Sequence, residues 1–541
     1  MKTIKKICFA LLAVMIISVA SCAHFDDMNE DPNSSTNMNP NLMIPTVQVF
    51  MTHYWHAQHR LFAYPGGFMN QWTGDWAVLQ GAWGARDLGY MEYLWTTAYS
   101  NHGLVRNVVD IVERTRGDAE MVNTHAMARI MRVQVFMQLT DYYGDIPYFD
   151  AGMGFFNGVL MPRYDRQEDI YTDFFKELRE AAALFDSSQP VPPADFFFNG
   201  NLERWRKYAN SLRLRAAMRL AKVNPELARA EAEDAIASGV FQSNADMLFV
   251  AYENVFNSGP DHWGPGNPIS VLLRNIANVD GSTFFFTRCL IQRMEEINDP
   301  RIRFYAAVLL NNPQRTDITD QVFAQRGSYA AMAVPTQMPA WETEVDNPFP
   351  GSETSLNVVV SGETVTVDMA FTRLRPSHYI MAFDAPRIII SYAEVEFLQA
   401  EMAVRGWNTP LSASEHFSRG LEAAVTQWEL FGANVNPAAV ADFVNSNPLA
   451  AGQEMNQINT QLWILHFLDP VETWSNWRRS GYPELTFFNR NPAVNMTGGQ
   501  IPRRIEYPLE EQMRNPHNLR EAVNRMGGRD SWMDRVWWDA E

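Results

Sequence analysis

The chain has 541 residues, 46% hydrophobic and 20% charged, a globular composition that excludes a disordered polymer. Its formal net charge of −18 argues against general nucleic-acid binding, which depends on cationic neutralisation of phosphates. The cysteines Cys8, Cys22 and Cys289 include no C-x-x-C pair, which excludes thiolate metal sites and redox pairs.

At the N-terminus, Lys2, Lys5 and Lys6 precede an uncharged run from Ile7 to Ser21. The run is shorter than the roughly 20 residues of a membrane-spanning helix and fits the core of a signal peptide. Val19, Ala20 and Ser21 before Cys22 resemble the lipobox of bacterial lipoproteins. Residues 1–21 then form a lipoprotein signal peptide, and Cys22 is the lipidated first residue of the mature protein. The alternative is a secretory signal cut elsewhere, with Cys22 incidental. Residues 22–40 read as an acidic tether. Asp26, Asp27, Glu30 and Asp31 resemble the surface-export signal of Bacteroidota lipoproteins, and they also keep a tether solvated. No later stretch is apolar enough to span a bilayer.

Residues 41–541 read as one mostly α-helical domain. "THYWHAQH" sets His53, His56 and His59 three apart, so on a helix only adjacent members share a face. A metal site from one such pair plus a carboxylate is weaker than the plain reading, a partly buried helix with polar edges, and no metal or other cofactor is expected. "QWTGDWAVLQGAW" presents Trp72, Trp76 and Trp83 among Gly and polar residues, where a flat ring can stack on a sugar or a peptide side chain. Core packing is the competing role for each.

Helical spacing of apolar residues predicts helices over Asn123–Thr140, Gln167–Phe185 and Glu203–Ala221. Asn224 and Pro225 start another helix that runs to Ala237 before Gly239. Ser391–Arg405 and Ser412–Leu430 form a later pair. Paired helices of this length with short turns indicate a tetratricopeptide-like helical-repeat scaffold, over about 97–240 and 388–485, although no strict 34-residue period is present. The basic run Arg204, Arg206, Lys207, Arg213, Arg215 and Arg219 is expected to form internal salt bridges or a partner contact.

Two regions break the helical pattern. Gly144–Arg166 reads as loop, with Asp145 accepting backbone hydrogens at a turn. Residues 241–387 read as a loop-rich, ligand-facing insertion with a small β-hairpin, Leu356–Val360 and Thr364–Val367 around Ser361–Gly362. Within it, "GPDHWGPGNP" offers Asp261, His262 and Trp263 as ligand-binding candidates, and Tyr329 and Trp341 are further ones.

Six blocks carry a family resemblance: "LTDYYGDIPYFDAG", "WRKYANSLRLRAAMRLA", "PRIIISYAEVEFLQAEMAVRGW", "DPVETWSNWRRSGYPEL", "IPRRIEYPLEEQMRNPHNLREAV" and "RVWWD". Together they resemble the SusD/RagB family of Bacteroidota outer-membrane nutrient-binding lipoproteins. That resemblance implies a SusD-like α-α superhelix of four tetratricopeptide-like helix pairs that docks on a SusC-like TonB-dependent transporter, with the less regular remainder holding the nutrient. It carries over no binding residue, because sites in the family vary with the nutrient. In the block around Gly481 and Pro483, Arg478 and Arg479 are expected to complement a helix dipole, ahead of a phosphate-binding role.

No G-x-S-x-G, H-E-x-x-H, Walker or dinucleotide motif occurs, and no catalytic residue is singled out. The leading expectation is a non-enzymatic, lipid-anchored outer-membrane protein, exposed at the cell surface, that binds oligosaccharide, ahead of peptide, for a SusC-like transporter. A surface glycan-degrading hydrolase is the alternative, and a helical-repeat adhesin without a soluble ligand ranks third.

Overall fold

A computed structural model describes residues 38–53, 61–74, 79–101, 103–256, 264–275, 284–310, 315–333, 355–368, 372–487 and 494–541. Cys22, the signal peptide and nearly all of the tether lie outside the described residues. Helices of eight or more residues are labelled in chain order. α1, Pro40–Thr52, opens with Pro40 in its first turn and the Asn39 side chain accepting from Asn41 N–H. α2, Leu104–Thr115, is amphipathic and buries Leu104, Val105, Val108, Ile111 and Val112. α3, Val122–Tyr143, is buried almost all round, so it is the central rod of the first helix set.

α4 (Gln167–Leu184), α5 (Leu202–Arg219) and α6 (Pro225–Ala237) follow. Each packs on its predecessor, as α3 packs on α2. The predicted spans agree with these helices to within three residues at either end, and α6 agrees at both ends. Its Asn224 side chain accepts from Leu227 N–H, and Gly239 takes φ +95°, where a side chain would strain the chain.

The second set contains α10 (Tyr392–Val404), α11 (Ala413–Thr426), α12 (Pro437–Ser446), α13 (Glu454–Leu465) and α14 (Pro470–Ser480). α11 starts with a capping box in which Ser412 and Glu415 satisfy each other's backbone donors. α10 packs on α11, on α13 and across on α5, and α14 reaches α3 and α5. The two helix sets therefore share one core. Between them lie α7 (Pro268–Asn275), α8 (Arg288–Glu296) and α9 (Thr319–Arg326), and α15 (Pro516–Arg525) closes the chain.

Strands among the described residues pair only in twos, all antiparallel. β1 (Trp72–Gly74) pairs with β3 (Phe284–Phe286), β2 (Leu248–Val250) with β8 (Arg387–Ile390), and β4 (Ala306–Ala307) with β7 (Arg375–Pro376). β5 (Ser355–Val360) and β6 (Glu363–Asp368) are the predicted hairpin. Ser361 and Gly362, both at positive φ, form its two-residue turn. The β2–β8 pair closes the base of the segment between the helix sets.

The basic run on α5 is an internal one. Arg213 donates to Glu231 at 2.6 Å, and Arg215 makes a two-pronged pair with Glu394 of α10, 2.6 Å on each arm. Arg219 bridges Asp141 of α3 and Glu472 of α14. Burial alone would weaken the charge of Arg215 and Arg219, but the facing carboxylates outweigh it and hold both guanidinium groups firmly protonated.

Arg478 and Arg479 lie in the last turn of α14, where cations complement the helix dipole, and each has further partners. Arg479 reaches Glu401 of α10 at 2.9 Å. Arg478 donates to the carbonyls of Asp141 and Arg503, with its guanidinium carbon 3.8 Å from the ring centre of Trp474. Both are buried, so beyond the helix terminus they serve the core. Asp145 does accept a backbone hydrogen, from Gln167 at the start of α4, and it pairs with Arg525.

Glu401 is the cleanest test of this network. Burial would raise its carboxyl, but Arg479 and Arg405 outweigh that and bring it from an ordinary 4.5 to about 2. Its stabilising contribution is complete above pH about 4.5 and is lost as the pH falls towards 2. Glu401→Gln is expected to lower unfolding free energy at neutral pH by about 3–5 kcal/mol in denaturant titrations. It also flattens the loss of stability between those two pH values, because the group that titrates there is gone.

Candidate functional site

The segment before and through β1 is stitched to the second helix set by hydrogen bonds between residues nearly 400 positions apart. Gln71 Nε2 donates to the Trp463 carbonyl at 2.5 Å, and Trp463 Nε1 donates to Met69 O at 3.1 Å. Asn70 Nδ2 donates to Thr486 O at 2.9 Å. From β1 the connection continues sideways through backbone. Trp72 pairs with Phe286, Phe286 N–H donates to Leu374 O, and Leu374 N–H donates to Met332 O. A thin layer of short strands thus sits on the rigid helices. It brings together segments that are far apart in the chain.

Trp72 lies on the inner side of that layer and is fully buried. Its indole N–H donates to Phe467 O at 2.9 Å, and its ring stacks on Phe467 at 5.9 Å and leans on Phe286 at 4.6 Å. This corrects the expectation that Trp72 is a ligand platform. Its face and its polar edge are both consumed by the core.

Trp83, half-buried, ends a short helix from Leu79. Its carbonyl accepts from Asn495 Nδ2 at 2.9 Å, next to Gly84 at φ +63° and the exposed side chain of Met496.

Tyr329 is half-buried on the outer end of the layer and opens a single helical turn ending at Met332. Its ring leans on Phe323, with centres 4.5 Å apart. The turn is fixed by Glu295 of α8, whose carboxylate accepts from Ser328 Oγ and from the N–H groups of Tyr329 and Ala330 at 2.6, 2.7 and 3.1 Å. Burial raises the Tyr329 hydroxyl above its ordinary range, with nearby Arg303 pulling the other way, so it stays protonated and able to donate. Arg303 itself lies 3.4 Å from Asp317 and 3.5 Å from Asp320. A partly open aromatic ring beside protonated hydroxyl, carboxylate and guanidinium groups suits a ligand with an apolar face and several hydroxyls.

Of the sequence candidates, the structure joins Trp72 and Tyr329 through one layer, at opposite depths. Trp76, Asp261, His262, Trp263 and Trp341 lie outside the described residues, as do His56 and His59. Burial, reinforced by Arg387, lowers His53 to about 4, and its ring packs on Phe196 and Tyr252. Among the described residues no group of three or more His, Cys, Asp or Glu is placed to hold a metal.

Two features escaped the sequence reading. Arg373 and Arg375 each sit 5.3 Å from the ring centre of Phe285, and their spacing of two along an extended segment was the available signal. Phe256, partly exposed, pairs with Phe383 at 5.6 Å just before the Asp261–Trp263 loop.

The cavities narrow the choice further. A partly open cavity between Tyr305, Trp428, His466 and Asp469 offers about 50 Å³ to the centres of water-sized molecules, room for a few waters. A groove of about 560 Å³ beside α13 is lined by amides such as Gln453, Asn456 and Gln457, but several of these cap or bridge their own segment.

A family model described as SusD-like, starch-binding and associating with the outer membrane, matches residues 33–508. Among solved structures, a chitin-binding protein is 33% identical, aligned over 93% of this chain and 100% of its own, with a TM-score of 0.76. The Bacteroidetes AC2a SusD-like protein is 30% identical over the same shares, with a TM-score of 0.81. A chitin-binding SusD homologue from Flavobacterium johnsoniae shares the fold at 24% identity, over 92% of this chain and 97% of its own, with a TM-score of 0.68. No curated protein matches. The helical array is thus the tetratricopeptide-like fold of SusD homologues, and the chain belongs to the SusD-like family of starch-binding, outer-membrane-associated proteins.

Proposed function

We propose that this protein is a lipid-anchored, surface-exposed binding protein that captures an oligosaccharide and delivers it to a SusC-like TonB-dependent transporter, without turnover. One observation carries the reading most: the family match over residues 33–508, joined to 33% identity with a chitin-binding protein along that protein's full length. The same relative favours a chito-oligosaccharide over a starch fragment or a peptide. N-acetylated sugars present an apolar ring face together with amide and hydroxyl groups, which the Tyr329 environment suits. Cys22 supplies the anchor, and none of the described helices is long and apolar enough to cross a membrane. The insertion over residues 241–387 faces the ligand.

Calorimetry with chito-, malto- and unrelated oligosaccharides tests the proposal directly. Saturable binding of the chito series is expected, with no products released on long incubation. Binding of none of them, or catalytic turnover, overturns it. Tyr329→Ala and Trp76→Ala are each expected to weaken that binding about tenfold while leaving the melting profile intact. Trp72→Ala behaves differently, losing about 3–5 kcal/mol of stability in denaturant titrations.

A further inference from the structure

Three buried polar atoms around one cavity have no partner among the described residues. They are Gln427 Oε1, Trp428 Nε1 and His466 Nδ1, on residues only 5%, 2% and 8% exposed. All three residues line the partly open cavity of about 50 Å³ beside Tyr305 and Asp469. Unpaired buried polar atoms cost stability and are rare, so three at one cavity mark a place where something is held.

The fold fixes these groups before anything binds. The Trp428 ring is packed among Phe431 at 4.5 Å, Tyr305 at 5.1 Å and Phe304 at 5.8 Å, so its N–H cannot turn to another acceptor. His466 Nε2 lies 3.1 Å from Glu394, and a neutral ring that donates there presents Nδ1 as an acceptor. The cavity thus offers one donor and two acceptors. Its charged neighbours are already engaged. Glu394 is paired with Arg215, Arg387 donates to the Thr52 carbonyl at 3.1 Å, and Asp469 accepts from Glu472 N–H at 3.2 Å. The ligand chemistry that fits is therefore neutral.

The walls narrow it further. Ile269, Ile380 and Leu465 line the same cavity. Water answers the polar atoms but gains nothing from apolar walls. An amide that carries a methyl group answers both, with a carbonyl to accept, an N–H to donate and a methyl for the hydrocarbon. The space, that of a few waters, suits one such group. Phe431 and Leu468 in the lining are partly exposed, which leaves a sugar ring outside while its acetamido group enters. The position agrees as well. Ile269 and Ile380 belong to the insertion over residues 241–387. The helical turn Ile302–Tyr305 joins the cavity to Tyr329, since Arg303 acts on the Tyr329 hydroxyl, Phe304 stacks on Trp428 and Tyr305 lines the cavity.

We propose that this cavity is the subsite for one acetamido group of the oligosaccharide, with Trp428 Nε1–H donating to its carbonyl and Gln427 Oε1 accepting from its N–H. The proposal rests on the chito-oligosaccharide reading above. Two variants of the full chain test it by calorimetry with chitohexaose. Gln427→Met removes an acceptor that the chain leaves unpaired, so the variant keeps the wild-type melting profile. Ala385→Leu adds bulk to the cavity wall. Each is expected to weaken chitohexaose binding about tenfold. A crystal structure with diacetylchitobiose is expected to show one acetamido group on Trp428 Nε1. Unchanged affinity in the folded Gln427→Met protein, or a complex whose cavity holds water only, overturns the subsite and leaves the chito-oligosaccharide reading standing. A wild-type protein that binds no chito-oligosaccharide removes both.

Discussion

Arg215 and Arg219 lie one helical turn apart on α5, and each closes a gap between parts of the chain that are far apart in sequence. One reaches Glu394 on α10; the other reaches Asp141 on α3 and Glu472 on α14. A buried guanidinium must be met by acceptors, and here they are carboxylates on other helices, so each side chain constrains the helix that supplies its partner. His466 joins through Glu394, and the Trp538 indole joins through Asp141. The two helix sets are therefore held in register by charge as well as by apolar packing. Tertiary packing alone permits small slides between helices, whereas two-pronged pairs at 2.6 Å do not.

Such a scaffold has a functional use. The strand layer that carries Trp72 and Tyr329 has little stability of its own, since its strands are two to three residues long and pair only in twos. It is ordered because Met69, Asn70, Gln71 and Trp72 are bonded to residues on and beyond α13. The order of the layer is imported from the helices.

The helical frame was legible in the sequence because its signals are local. Spacing of apolar residues, Asn224–Pro225, and the Ser412–Glu415 box each specify an element from neighbours in the chain. The hairpin was legible for the same reason, through Ser361–Gly362. The fate of Trp72 was not, because it depends on Phe286 and Phe467, more than 200 and nearly 400 residues away. Its Gly and polar neighbours suggested a loop, while its long-range partners bury it. Arg478 and Arg479 illustrate the same limit. A helix end is one reason for two cations, and Glu401 and Trp474 are a second that the sequence did not show. The pairing of the α5 charges, by contrast, was readable from bulk composition, since an acidic chain offers carboxylates to Arg213, Arg215 and Arg219.

The antiparallel pairing of β2 with β8 carries a separate consequence. Leu248 stands opposite Ile390, so the chain leaves the first helix set and re-enters the second at almost the same point in space. The segment between, which includes α7, α8, α9 and the β5–β6 hairpin, is closed at its neck. Lengthening such a loop costs little, about 0.6 kcal/mol for each doubling. A change in the length of this segment is therefore cheap in chain entropy, and what limits it is packing: Arg301 and Tyr305 within it bond to Gln461 and Ile464 of the frame.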